Sequence, residues 1–140
     1  MREAMFDRSA GGANVLNSGC GVYQEIAKIA AVARSREALR FGRMYYREIS
    51  GDGENFGMPF GNSYTLAFSR ILFPNEVLVA YNVAGQKRND AVIVDADLHK
   101  DGSTLHYLYG GSGTVTVQTA HNGARFVRLP LDANKLAILA

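Results

Sequence analysis

Residues 65–82, TLAFSRILFPNEVLVAYN, decide the fold class of this chain. Two runs rich in aliphatic, β-branched and aromatic side chains, Thr65 to Leu72 and Glu76 to Asn82, flank the segment Phe73-Pro74-Asn75-Glu76. Such runs have the composition of β-strands, and the Pro-Asn step between them is typical of a turn. The stretch therefore predicts an antiparallel hairpin, which is the basic unit of an all-β domain.

The chain after Leu39 repeats this pattern of short strand-like runs separated by glycine, asparagine, aspartate and proline. Six further strands are predicted, over Gly42 to Ile49, Ala91 to Asp97, Thr104 to Tyr109, Thr114 to Thr119, Arg125 to Leu129 and Lys135 to Leu139. The segments His99 to Gly102 and Gly110 to Gly113 have turn compositions, so strands that follow one another are expected to pair. About eight short strands require two packed layers, and we expect a mainly β, antiparallel, Greek-key-like β-sandwich.

One α-helix is expected ahead of the sandwich. From Val22 to about Arg34 apolar side chains recur at helical spacing. This stripe needs cover, so it is predicted to lie in a domain interface, against the sandwich or against a second copy of the chain. Its members are Val22, Ile26, Ile29 and Ala33. The expected organisation is an irregular lead-in over residues 1–21, a helix over 22–39 and a β domain over 40–140.

Length and composition exclude several function classes. The chain has 140 residues with 15 Lys and Arg against 13 Asp and Glu, a net charge of +2, so it lacks the charge of a dedicated nucleic-acid binder. A complete β/α barrel needs on the order of 200 residues, which excludes a whole barrel enzyme. The single Cys20 can form no internal disulfide, and we expect a cytoplasmic protein. No run of about 18 apolar residues occurs, so no membrane partner is expected.

The sequence contains no clear motif for catalysis, for metal binding or for a cofactor. Cys20 precedes the helix and could serve as a nucleophile with a histidine as base, although a small residue in a glycine-rich turn is the preferred interpretation. Three isolated histidines and one cysteine lack the spacing of a zinc site. Asp95 and Asp97 would share a strand face at a spacing that suits a carboxylate pair, but a solvated strand end is favoured. No glycine motif for a nucleotide cofactor is present.

Sugar binding is a candidate function because planar side chains stack on sugar rings and β-sandwiches often present them. The candidate residues are Tyr64, Tyr107 and Tyr109. Tyr107 and Tyr109 are expected on one face of their strand, and Tyr64 borders a loop. The longest irregular segment, Ser50 to Asn62, carries Phe56 and Phe60 and is expected to cover an end of the sandwich.

A basic run from Arg34 to Arg47 is a second candidate surface and predicts, as an alternative, an interaction module. Arg43, Tyr45 and Arg47 are expected to share one strand face. Because the whole chain is nearly neutral, we expect Arg43 and Arg47 to pair with acids of a neighbouring domain in preference to nucleic acid.

Two stretches resemble a known family. Residues 22–30, VYQEIAKIA, and 38–49, ALRFGRMYYREI, are similar to the end of the catalytic domain in α-amylase-type enzymes, glycoside hydrolase family 13. There a tyrosine-bearing last barrel helix leads through an Ala-Leu-Arg-X-Gly-Arg turn into a C-terminal β domain. Residues 67–72, 76–82 and 129–139 resemble strands of that domain.

The resemblance implies a non-catalytic C-terminal accessory domain that covers or stabilises the barrel of an enzyme acting on α-glucans. The family's catalytic carboxylates lie on barrel strands that would precede Met1, so no position of this chain inherits them. The resemblance also implies a partner, the parent's catalytic barrel. The other expected partners are an α-glucan, on the grounds of the tyrosines, and a second copy of the chain docked through the apolar stripe of the helix.

Overall fold

The computed structural model describes residues 18–61 and 63–140, which fall into two compact units divided between Ser35 and Arg36. The first unit contains α1, Gly21–Ser35, and this confirms the helix predicted from Val22 to Arg34. Arg34 lies in its last turn, where the helix dipole favours a cation. Most of the predicted lead-in, residues 1–17, lies outside the described residues.

The second unit is mainly β and contains two antiparallel sheets, which confirms the predicted fold class. The larger sheet has the strand order β1-β3-β4-β10-β6-β7, and the smaller has the order β2-β5-β9-β8. The elements are α2 Glu37–Phe41, β1 Arg43–Tyr46, β2 Ile49–Ser50, β3 Thr65–Leu72, β4 Asn75–Asn82, β5 Arg88–Ile93, β6 Thr104–Tyr109, β7 Thr114–Thr116, β8 Gln118–Thr119, β9 Arg125–Leu131 and β10 Leu136–Leu139.

The hydrophobic core lies between the two sheets and follows the two-residue period of the strands. The larger sheet contributes Ala67, Leu78, Ala80, Leu105, Ala137 and Leu139. The smaller sheet contributes Val92, Val127, Leu129 and Leu131. Strand β4 is also buried on its other face, at Val77 and Val79, which explains why its sequence is almost continuously apolar.

Two of the predicted strands are each divided in the structure, and the two halves belong to different sheets. The stretch predicted from Gly42 to Ile49 forms β1 in the larger sheet and β2 in the smaller one, and Thr114 to Thr119 likewise forms β7 and β8. The strand-like composition continues through both corners, so the sequence gives no sign of the change of sheet. The described residues therefore hold ten strands, where about eight were predicted.

The predicted hairpin at His99 to Gly102 is wrong, because this turn carries the chain from β5 in one sheet to β6 in the other. Strand β10 returns to lie between β4 and β6, so it does not pair with β9. Such returns over long distances are characteristic of Greek-key connections. The strand predicted to reach Asp97 ends at Ile93, and Asp95 begins a turn in which its carbonyl accepts the His99 N–H at 3.0 Å. Asp95 and Asp97 consequently do not share a strand face.

A glycine at the end of β6 supports a testable prediction about this packing. Gly110 has a φ of +79°, and a Cβ there would lie 1.8 Å from the carbonyl oxygen of Leu136. Gly110→Ala adds a backbone clash to the left-handed strain, and we expect it to lower the free energy of unfolding by roughly 3 kcal/mol or more. Urea denaturation measures the loss.

Gly113→Ala is the matched control, because Gly113 has a φ of +74° but nothing within 4 Å of its added Cβ. Only the conformational strain of about 1 kcal/mol should appear. Equal losses in the two variants would contradict the tight approach of β10 to Gly110.

Candidate functional site

The connection between β2 and β3 forms the candidate site, and Asp52 fixes its first turn. The carboxylate accepts hydrogen bonds from the Ser50 hydroxyl at 2.6 Å and from the backbone N–H groups of Asn55 at 2.9 Å and Glu54 at 2.8 Å. These bonds, the Ser50 bond first, hold the pKa of Asp52 well below its usual range. An aspartate that bonds to the following backbone in this way makes a well-defined turn.

The same connection covers the outer face of the smaller sheet, not an end of the sandwich as the sequence predicted. Phe56 packs on a small apolar cluster of Ala91, Ala120 and Phe126. The rings of Phe56 and Phe126 lie 5.5 Å apart at a tilt of 50°. This outer cluster gives the connection a hydrophobic anchor, as tilted aromatic pairs do in protein cores.

Two polar contacts complete the anchoring. The Nη2 of Arg128, on β9, donates to the carbonyl oxygen of Asp52 at 2.6 Å. Further along, Gly57 pairs with Ile49 through two backbone hydrogen bonds of 2.9 and 3.1 Å. The connection is thus anchored by Arg128 at Asp52, by the Phe56–Phe126 contact and by the Gly57–Ile49 backbone pair. The residues that follow Gly57 extend from this anchored segment.

A cleft of about 430 Å³ opens beside this anchored connection. Its size is within the range typical of small-molecule sites. The lining residues are Ile49, Ser50, Gly51, Asn55, Phe56, Gly57, Met58, Pro59, Phe60, Ser63, Tyr64 and Arg88. Phe60 is 90% exposed and Met58 is 54% exposed, so the cleft presents apolar side chains to solvent.

The charge of Arg88, on the floor of this cleft, is already neutralised within the domain. Its Nε and Nη2 donate to the two oxygens of the buried Asp90 at 2.6 and 2.9 Å, and its Nη1 donates to the Ser63 carbonyl at 3.1 Å. Burial opposes the charge of Asp90, but its bonds from Arg88 and Thr65 lower its pKa overall, and the Asp90 bond raises the pKa of Arg88. Among the described residues the cleft therefore has no unpaired charge.

The three tyrosines predicted to bind sugar do not form one surface. Tyr64 lines the cleft, whereas Tyr107 packs on the core between the sheets, where burial raises its pKa. A register shift pairs Tyr107 with Leu139 and Tyr109 with Ile138. Because Leu139 and Ile138 are consecutive, Tyr107 and Tyr109 lie on opposite faces of the sheet, which corrects the prediction that they share one.

A second polar cluster surrounds the buried carboxylate of Glu76 near the start of β4. Arg47 Nη2 donates to Glu76 Oε1 at 2.7 Å, and the Ser69 hydroxyl bonds to the same oxygen. The backbone N–H of Asp95 donates to Oε2 at 2.9 Å, and His99 Nε2 lies 3.0 Å from it. Arg47 was expected to pair with an acid of a neighbouring domain, but the acid it contacts belongs to its own.

An acid at the start of an apolar strand was the one local sign of this cluster. Burial alone would raise the pKa of Glu76, but the contacts of His99, Ser69 and Arg47 together lower it to about 2. The partners come from the corner after β1, from β3 and from the turn after β5. Their role is to join the two sheets at this corner.

A pH experiment tests the Glu76 cluster. Because the pKa of Glu76 is lower in the folded chain than its usual 4.5, its contribution is complete above pH 4.5 and is lost as the pH falls towards 2. The loss should amount to about 3 kcal/mol of the free energy of unfolding. Glu76→Gln should be less stable at neutral pH and should flatten the curve over this range. Parallel curves for the two proteins would contradict the assignment, since other acids titrate equally in both.

The remaining predicted interface residues are distributed over both units. In α1, Val22 and Ile26 are exposed while Ile29 and Ala33 are partly covered. In the second unit, every residue of the edge strand β1 is exposed, Arg43 included. Their role in an interface stays a prediction.

The described part of the chain holds neither a candidate metal cluster nor a candidate membrane-spanning helix. No group of three or more His, Cys, Asp or Glu side chains there could hold a metal ion. None of the helices in residues 18–61 and 63–140 has the length and hydrophobicity needed to span a bilayer.

Comparison with known proteins identifies a similar fold. No family model matches the chain, and no curated protein matches it. Among solved structures, a debranching enzyme from Nostoc punctiforme is similar, with a TM-score of 0.52 and 22% identical residues. The match covers 92% of this chain and 25% of the debranching enzyme, so the chain spans a quarter of that structure's length. At this identity the likeness establishes the fold.

Proposed function

We propose that this chain is a non-catalytic accessory β domain of an α-amylase-type enzyme, glycoside hydrolase family 13, which covers or stabilises a catalytic barrel. The observation that carries the proposal is the extent of the structural match. Nearly the whole chain, 92%, corresponds to only a quarter of a debranching enzyme. The order of elements, a helix followed by a short turn and a β-sandwich, is the order that the family resemblance implies.

The junction between helix and sandwich supports this proposal in physical terms. A Cβ at Gly42 would lie 2.5 Å from the carbonyl oxygen of Ala38 and 2.8 Å from that of Ile71. Only glycine therefore allows α2 to lie this close to β3. The glycine of the Ala-Leu-Arg-X-Gly-Arg turn thus has a specific structural purpose in this chain.

The exposed edge of the larger sheet also supports an accessory role. Phe41 and Phe73 are 64% and 83% exposed, and Met44 and Tyr46 of β1 are exposed as well. We call these four residues the β1 patch. Exposed apolar residues in such numbers mark surfaces that another protein part covers. A catalytic barrel is the partner that the proposal assigns to this surface.

Three acids of the domain have structural roles, which fits a non-catalytic domain. A glycosidase needs a carboxylic acid whose pKa is raised, so that it holds a proton for the leaving group. In the described part of the chain, Asp52, Glu76 and Asp90 all have lowered pKa values. Each of them accepts hydrogen bonds that fix a turn or join strands.

Two measurements on the native protein test the proposal. Immunoblotting should detect this sequence in a native polypeptide with a mass far above 15.2 kDa. Mass spectrometry of that polypeptide should identify further peptides that belong to a β/α barrel. The isolated 140-residue chain should release no reducing sugar from pullulan or starch, whereas the native polypeptide should. A native product of 15.2 kDa, or glucan hydrolysis by the isolated chain, would overturn the proposal.

The β1 patch supplies a mutational test. Because Tyr46 is 57% exposed, Tyr46→Ser should change the stability of the isolated chain by no more than about 0.5 kcal/mol. In the longer polypeptide the same change should lower the thermal midpoint, since it would remove a buried aromatic contact. An equal response in both proteins would argue against a partner at this surface.

A further inference from the structure

The cleft beside the β2–β3 connection has features that the accessory role does not use. Phe60, at its rim, exposes 90% of its surface, and Met58 beside it exposes 54%. Tyr64 lines the same cleft. Apolar side chains that are exposed together beside a concave surface are one mark of a ligand-binding groove.

The electrostatics of the cleft favour an uncharged ligand. Arg88 is the charged residue among its lining, and both oxygens of Asp90 bind its guanidinium. Because Asp90 already neutralises Arg88, the cleft offers no unpaired positive charge to a phosphate or carboxylate. An uncharged ligand leaves the pair intact.

The cleft retains hydrogen-bonding capacity at its edges. Arg88 has five N–H donors and uses three of them on Asp90 and the Ser63 carbonyl. Asn55 donates one amide N–H to Asp52 at 2.7 Å, which leaves its amide oxygen to accept from a ligand. The Ser63 hydroxyl adds a group that both donates and accepts. Planar apolar rings bordered by neutral donors and acceptors match a sugar, whose ring face is apolar and whose hydroxyls lie at the rim.

We propose that this cleft binds a short segment of neutral α-glucan, with Phe60 and Tyr64 contacting sugar ring faces and Asn55, Ser63 and Arg88 bonding to hydroxyls. The α-glucan identity rests on the proposed function, while the neutral sugar class rests on the lining of the cleft. The binding surface is formed in advance, since Asp52, Arg128 and Phe56 already fix the connection. A preformed site loses less conformational freedom when the ligand binds.

Titration of the 140-residue chain with maltoheptaose tests the proposal. Binding is detected by calorimetry and by shifts of the aromatic NMR resonances of Tyr64. Saturable binding with a Kd on the order of 1 mM or tighter is expected. Phe60→Ala should weaken it at least about fivefold, the loss of one aromatic stacking contact. Because Phe60 is 90% exposed, this variant should keep the urea midpoint of the parent chain. Phe73→Ala is the matched control, since Phe73 is 83% exposed and does not line the cleft, and its affinity should be unchanged.

Each alternative result is decisive. Absence of saturable binding, or equal affinities for the parent chain and Phe60→Ala, would overturn the cleft as a sugar site and leave the accessory role to its own test by native mass. Binding of cellohexaose in place of maltoheptaose would overturn the α-glucan assignment and point against an α-amylase-type enzyme. Tighter, salt-dependent binding of a phosphorylated glucan would overturn the neutral-ligand argument, because it would show that the Arg88–Asp90 pair still attracts an anion.

Discussion

The buried carboxylate of Glu76 is the point on which the arrangement of the two sheets depends. Its oxygens contact Arg47 after β1, Ser69 on β3, and Asp95 and His99 beyond β5. These groups hold the corner where the chain leaves the larger sheet for the smaller one. An ion pair out of water gains little free energy relative to apolar packing, because desolvation offsets its attraction. Removing one partner would leave a buried charge without its contacts, so the cluster ties this corner to the contacts of Glu76.

The candidate cleft depends on that corner through a short series of contacts. Beyond the corner, β2 pairs with β5 and ends at the buried Ser50. The Ser50 hydroxyl binds Asp52, which fixes the first turn of the connection, and Phe56 then packs on Phe126. A shift of the corner would move β2 and, with it, the base from which Phe60 projects. Stability and the candidate site are in this way linked through the backbone path.

The sequence predicts individual strands well and their connections poorly. The strands Thr65–Leu72 and Thr104–Tyr109 match their predicted ranges to the residue, because alternation and turn residues are local signals. The changes of sheet after Tyr46 and after Thr116 were missed, because the strand-like composition continues through both corners. The partners of Glu76 are 7 to 29 residues distant along the chain, and no local pattern reports such contacts.

The three tyrosines show that local sequence signals also predict a site only in part. Tyr64 was identified because it borders a loop, which is a local property. Tyr107 and Tyr109 were placed on one face by simple alternation, and a register shift against β10 separated them. Phe60 was attributed to covering the sandwich, yet the connection uses Phe56 for that purpose and leaves Phe60 exposed.

The domain exposes apolar side chains on two surfaces, the β1 patch and the cleft. The two surfaces differ in shape, and each shape favours a different kind of partner. The β1 patch borders a sheet edge, where unpaired backbone groups and exposed aromatic residues favour a protein surface. Its neighbour Arg43 retains a cationic side chain at that edge, as edge strands often do. The cleft is concave, and its aromatic side chains alternate with uncharged hydrogen-bonding groups, which favours a small neutral ligand. A barrel partner and a glucan segment therefore would not compete for the same residues, and the cleft can fail as a sugar site without loss of the accessory role.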